Sequence, residues 1–128
     1  MILKARVIKE GHVRGKALVS KEPIGFYGNI DPETGVVIEK GHPLEGKSVA
    51  NKILVFPTGK GSTVGSYTMY RLKKNGKAPL AILCEESEAI IAVGAIISNI
   101  TMLDKIDISK IKTDDDIEIK GDEVRVNE

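Results

Sequence analysis

The chain has 128 residues, 41% hydrophobic and 29% charged, with 13 glycines, 5 prolines and one cysteine. That length can bury one core without disulfides or a structural metal, and a lone Cys84 excludes an internal disulfide, a zinc ribbon and a complete iron–sulfur ligand set. A formal charge of +1, with three Tyr, two Phe and no Trp, argues against a nucleic-acid binder, which needs a basic footprint and stacking platforms.

No apolar run reaches the roughly 20 residues that span a bilayer, because the Ala89–Ile100 stretch gives way to Thr101 and Asp104. Lys4, Arg6 and Lys9 interrupt the segment where a signal peptide would be apolar. The expectation is a cytoplasmic protein off the membrane, folded as a single domain over residues 1–128.

In chain order, Ile2–Lys9 and Lys16–Ser20 predict strands, with a turn or bulge at the Gly11 and Gly15 breaks between them. Glu22–Gly35 holds two prolines, three glycines, an Asn and an Asp, and predicts a long loop. Gly35–Glu39 and Lys52–Phe56 read as strands, the second apolar enough to be buried on both faces. Thr63–Lys74 predicts a helix with a basic last turn, closed by Asn75-Gly76, with Tyr67 and Tyr70 packing on the sheet. Pro79–Cys84 returns as a buried strand, with Cys84 a core residue, and Ser87 is the expected N-cap of a helix that Gly94 ends. After it AIISNI is ambiguous between helix and strand. The tail IEIKGDEVRV predicts a hairpin turning at Gly121-Asp122, preceded by a solvated Asp114-Asp115-Asp116 turn. The order predicts an α/β domain: a mixed, barrel-like β core with two packed helices.

The chemistry concentrates in ILVFPTGKGSTVGS, Ile53–Ser66, where a buried strand enters Gly59-Lys60-Gly61-Ser62-Thr63 and then a helix. Glycines permit close backbone approach, and first-turn amides without intrahelical partners favour an anion such as phosphate or carboxylate. This is not a nucleotide P-loop, because Gly61 separates Lys60 from Ser62. The residue types alone equally allow Ser62 to be a plain helix cap and His42, before Pro43, an exposed turn residue.

GKGSTVGS, together with PIGFYGNIDPETGVVIEKGHPLEGKSVANKILVFP and KNGKAPLAIL with GAIIS, resembles the small subunit of the aconitase X group over roughly Gly11–Ser98. The resemblance implies a swivelling β/β/α domain and a heterodimer with a large catalytic subunit carrying a 4Fe-4S cluster whose open iron is a Lewis acid toward a departing hydroxyl. For archaeal members it implies dehydration of (R)-5-phosphomevalonate to trans-anhydromevalonate 5-phosphate. Bacterial relatives dehydrate cis-3-hydroxyproline.

Carried over by position, the family's serine general base falls on Ser62. Gly59, Lys60, Gly61, Thr63 and His42 are then the expected contacts to a small phosphorylated hydroxy acid. Lys60 stands where the family commonly has Arg, keeping the charge and losing bidentate recognition. Gly41-His42-Pro43-Leu44 keeps one of two family histidines, and Gly25-Phe26-Tyr27-Gly28-Asn29 keeps the aromatic positions but not the serine of a Ser-Phe-Trp-Gly-Gly segment. A non-catalytic anion-binding or assembly module on the same fold remains the alternative.

Overall fold

The computed structural model describes residues 1–127. Strands Ile2–Lys4 (β1), Arg6–Lys9 (β2), His12–Val19 (β3), Ile53–Phe56 (β4), Ala81–Cys84 (β5), Thr101–Asp104 (β6), Asp116–Lys120 (β7) and Glu123–Asn127 (β8) form one sheet in the order β1-β8-β7-β3-β4-β5-β6-β2. Strands β3 to β6 run parallel, and every other pairing is antiparallel. Helices Gly65–Lys74 (α1) and Ala89–Ile97 (α2) are the crossovers from β4 to β5 and from β5 to β6, as parallel pairing requires.

Period-two alternation divides the central strands between two cores. Leu54, Phe56, Ile82, Cys84 and Met102 face Met69 and Leu72 of α1 and Ile91 and Ala95 of α2. Ile53, Val55, Ala81, Leu83 and Leu103 face the other way, onto Ile117, Ile119, Val124 and Val126 of the β7–β8 hairpin. With both faces covered, every residue of β4, β5 and β6 is buried. The result is the mixed β/β/α arrangement expected from the sequence.

The first predicted strand is in fact two. Ala5 separates β1, which pairs with β8 at one end of the sheet order, from β2, which pairs with β6 at the other. Because consecutive Cα atoms lie only about 3.8 Å apart, this single residue brings the two edges together and rolls the sheet into its barrel-like form. No residue-type signal marks Ala5.

Other boundaries also move. Gly15 lies within β3, where a Cβ would stand 2.8 Å from Leu80 Cδ1, so the glycine serves close packing and not a turn. Residues 35–39 make only isolated bridges, Ile30 with Val37 and Val36 with Ser48, and form no strand. Helix α2 is capped by Glu88, whose carboxylate accepts from the Ile90 and Ile91 amides, and it runs through Gly94 because that glycine lies against Met69 and Ser66 of α1. The ambiguous AIISNI segment is the last turn of α2, Ala95–Ile97, followed by a turn, and β6 begins only at Thr101. Tyr67 and Tyr70 are exposed, while Gly65, Thr68, Met69 and Leu72 form the buried face of α1.

Candidate functional site

Strand β4 delivers the chain into a loop, 57–64, fastened on two sides. On one side Ile24 N–H donates to Thr58 O (3.2 Å) and Lys60 N–H donates to Ile24 O (3.0 Å). A Cβ at Gly25 would lie 2.6 Å from Lys60 O, and Gly61, at φ +101°, passes over the Gly25 Cα, so two backbones cross where no side chain fits. On the other side Gly59 rests against Ile91 and Glu88 at the start of α2.

The exposed part of this loop is Lys60–Val64. Ser62 Oγ accepts the Val64 amide at 3.1 Å, and Gly65 N–H donates to Ser62 O at 2.9 Å. The helix cap itself is Val64, with no side-chain bond. Ser62 therefore stands two residues ahead of the cap, on a turn that leads into α1, with an amide donor aimed at its oxygen. Such a donor favours the ionised form of the group that accepts it. The positive end of the α1 dipole acts in the same sense.

Lys60, expected from the sequence to keep a positive charge at the loop, has a partner in the fold. Its Nζ is 2.7 Å from Glu39 Oε2, and a paired ammonium attracts a third group less than a free one. Glu39 was missed because it lies 21 residues away in sequence, on a loop that reaches Lys60 only after folding.

His42 is buried, at 6% exposure, and not at the surface. Leu44 N–H donates to its Nδ1 at 3.1 Å, so Nε2 carries the hydrogen and donates to Pro23 O at 3.1 Å. Both ring nitrogens are used within the chain, where His42 clamps the 39–45 turns to the segment that braces the site loop, apart from the exposed Lys60–Val64 stretch. Gly59, Lys60, Gly61, Ser62 and Thr63 remain together.

Sequence reasoning also missed Asp104. Its carboxylate is buried, with Arg6 Nη2 and Nε at 2.6 and 2.8 Å and the Ser87 amide at 3.2 Å. Burial alone would push this carboxyl up, but the bonds from Arg6 and Ser87 outweigh it and hold the group below its usual value. Asp104 thereby fixes the 85–88 turn, which sets Glu88 at the head of α2 and against Gly59. The pairing partner is 98 residues away, so no local pattern signals it.

Cys84 lies within β5, fully buried, and burial pushes its thiol far up. Among the described residues no three His, Cys, Asp or Glu side chains converge as metal ligands, and no helix is long and apolar enough to cross a membrane.

With this geometry in view, the comparisons with known proteins agree with one another. A family model described as the aconitase X swivel domain matches residues 2–127. A protein of Thermococcus sibiricus named phosphomevalonate dehydratase small subunit is 57% identical over 127 residues, covering 99% of this chain and 98% of its own. One of the same name from Methanosarcina acetivorans is 52% identical over 124 residues, covering 94% and 86%. The crystal structure of Thermococcus kodakaraensis aconitase X in its holo-form superimposes with a TM-score of 0.97 at 50% identity, over 100% of this chain and 99% of that one.

Proposed function

The chain belongs to the aconitase X swivel-domain family, and from that membership we propose that it is the small subunit of a heteromeric phosphomevalonate dehydratase, working with a large subunit in the cytoplasm. The observation that carries the reading is Ser62: an exposed hydroxyl on a braced glycine loop at the approach to α1, with the Val64 amide donating to its oxygen.

Eliminating water from (R)-5-phosphomevalonate removes a proton from the carbon beside the carbinol carbon, forms the double bond there, and releases the hydroxyl as water. Ser62, as its alkoxide, takes that proton and passes it to the departing hydroxyl, which completes the water and restores the alkoxide. A serine hydroxyl is a weak base in water, and the site answers this with the Val64 N–H and the positive end of α1. Gly59, Gly61 and Thr63 shape the approach to Ser62, and Lys60, steadied by Glu39, adds a positive charge at the rim for the substrate's anionic groups.

An iron–sulfur cluster, which this enzyme class implies, does not fit the residues of this chain: its one thiol is buried in β5, and among the described residues no ligand set surrounds it. The cluster belongs in this reading to the large subunit.

The test is the assembled two-subunit complex with Ser62→Ala. As the base, Ser62 is worth about 10²- to 10⁴-fold in rate, roughly 3 to 5 kcal/mol of barrier. The variant should lose that much kcat on 5-phosphomevalonate with its Tm and its affinity for the large subunit kept. A near-normal kcat would refute the assignment. Turnover of cis-3-hydroxyproline in place of 5-phosphomevalonate would move the substrate to the bacterial type.

A further inference from the structure

Helix α2, AIIAVGAII, contains no charged residue. Its buried face is Ile91, Gly94 and Ala95. Opposite them Val93, Ile96 and Ile97 are 50%, 51% and 54% exposed, and Ala89 is exposed too. At 100° per residue, positions 89, 93, 96 and 97, with the half-buried Ile90, fill one arc of about 120°. The whole outer face of this helix is therefore apolar. A helix that is apolar all round is one that is buried all round, and no part of the described chain covers this arc.

The arc is continuous with the site. Gly65, which opens α1 beside the Ser62 loop, has Ile90 Cγ2 on one side of its Cβ position (3.6 Å) and Phe26 Cβ and the Tyr27 amide on the other (3.9 Å each). Val64 and Tyr27 beyond it are 42% and 55% exposed. The apolar arc of α2 thus comes, at Ile90, against the first residue of α1, beside the base of the loop that presents Ser62 and next to the exposed Val64 and Tyr27.

We propose that the outer face of α2, continuous with the rim of the Ser62 loop, is the docking surface for an apolar face of the large subunit. The inference rests on the small-subunit reading above and adds to it where the partner sits. Size favours this occupant over a second copy of the chain. Each half-exposed aliphatic side chain offers on the order of 100 Å² or less, so a self-pair through Val93, Ile96 and Ile97 alone falls well short of the roughly 800 Å² per partner of a stable interface. A partner that covers the Ser62 loop and α2 together buries more than the α2 arc alone. Such a partner also excludes water from an exposed base.

The experiment measures affinity between this chain and the separately purified large subunit, for the wild type, Val93→Lys, Ile97→Lys, the double variant, and Lys120→Glu in the distant hairpin. The expected result is a Kd weakened at least 10-fold by each α2 change, about 100-fold by both, and unchanged by Lys120→Glu. The kcat at saturating small subunit should stay near wild type, and the wild-type Kd should vary little with salt, as an apolar contact predicts. A second readout needs no variant: on complex formation, hydrogen exchange should slow over residues 59–66 and 89–98 and stay as it was over 116–127.

A Kd within twofold of wild type for the double variant, or unchanged exchange in α2, would overturn the docking surface. So would a free chain that is dimeric and is split by the α2 variants while its affinity for the large subunit is unaltered. A wild-type complex that forms through α2 but does not dehydrate 5-phosphomevalonate would overturn the substrate reading and uphold the docking surface. Failure of the wild type to bind the large subunit would overturn both.

Discussion

Helices α1 and α2 each follow a parallel strand and rest on the same sheet face, yet they meet their surroundings in opposite ways. The outer face of α1 carries Tyr67, Tyr70, Arg71, Lys73 and Lys74, with the Lys74 ammonium 5.7 Å from the Tyr70 ring and the basic residues in the last turn, where the helix dipole favours them. The outer face of α2 is aliphatic and uncharged. Their starts differ in the reverse sense: Glu88 closes the first turn of α2 with its side chain, while α1 opens at Val64 with none. At α1 the amide of the cap residue itself, Val64, donates to Ser62 Oγ, and the Val64 side chain bonds none of the amides that follow. In the reading proposed above, the helix without a side-chain cap lies beside the proposed base and the helix with one bears the proposed contact surface.

The comparison breaks first at the seam between the two helices. Met69 is fully buried and its sulfur lies against Gly94, so Met69→Ala opens a cavity under both helices. A loss of about 3 kcal/mol is expected in chemical denaturation. Retention of full stability would mean that the helices are held separately by the sheet.

The next effect is at the foundation of α2. Asp104→Ala leaves Arg6 and the Ser87 amide without their acceptor. It should cost about 2 kcal/mol, toward the lower end for a buried pair because the Arg6 side chain is 57% exposed and partly screened by water. The pH dependence follows from the direction of the shift. Asp104 lies below its unfolded value of about 3.9, so its contribution is fully present above that pH and is lost as pH falls through the lower, folded value. Denaturation between about pH 2 and 6 should therefore show a steeper acid-side loss in the wild type than in Asp104→Asn; equal slopes would remove Asp104 from the account.

The caps sharpen the contrast at smaller cost. Glu88→Ala should destabilise by about 1 kcal/mol. Val64→Ala, at a cap that makes no side-chain bond, should stay within about 0.5 kcal/mol. Equal losses at the two positions would show that the starts do not differ as described. Smallest of all, Lys74→Ala on α1 and Ile96→Ala on α2 should each change the stability of the free chain by no more than about 0.5 kcal/mol.

Several features were legible because they depend on neighbours in sequence. The hairpin turn at Gly121-Asp122, the strand, glycine loop and helix from Ile53 to Lys74, and the burial of Cys84 all follow from local periodicity and breakers, and the structure has each of them. The Ser62 loop belongs to this group, which is why its motif is recognisable as a family resemblance from the sequence. Gly94 was misread as a stop because a glycine's local meaning is flexibility, whereas here its missing side chain admits Met69 of another helix. His42 was misread as a surface residue because neither of its partners, Pro23 O and Leu44 N–H, can be recognised from a Gly-His-Pro triplet.

By itself, then, the sequence determined an α/β domain of alternating strands, with a serine-bearing glycine loop at the approach to a helix, since spacing and residue chemistry act over a few positions. Only the tertiary structure decided that one residue, Ala5, sends adjacent strands to opposite edges of the sheet, that Glu39 engages Lys60, that Arg6 and Asp104 seat the start of α2, and that the aliphatic outer face of α2 stays uncovered beside the site. Each of these is set by contact, or by its absence, between segments far apart along the chain, and the free energy of such a contact depends on which groups the whole fold brings within a few ångströms.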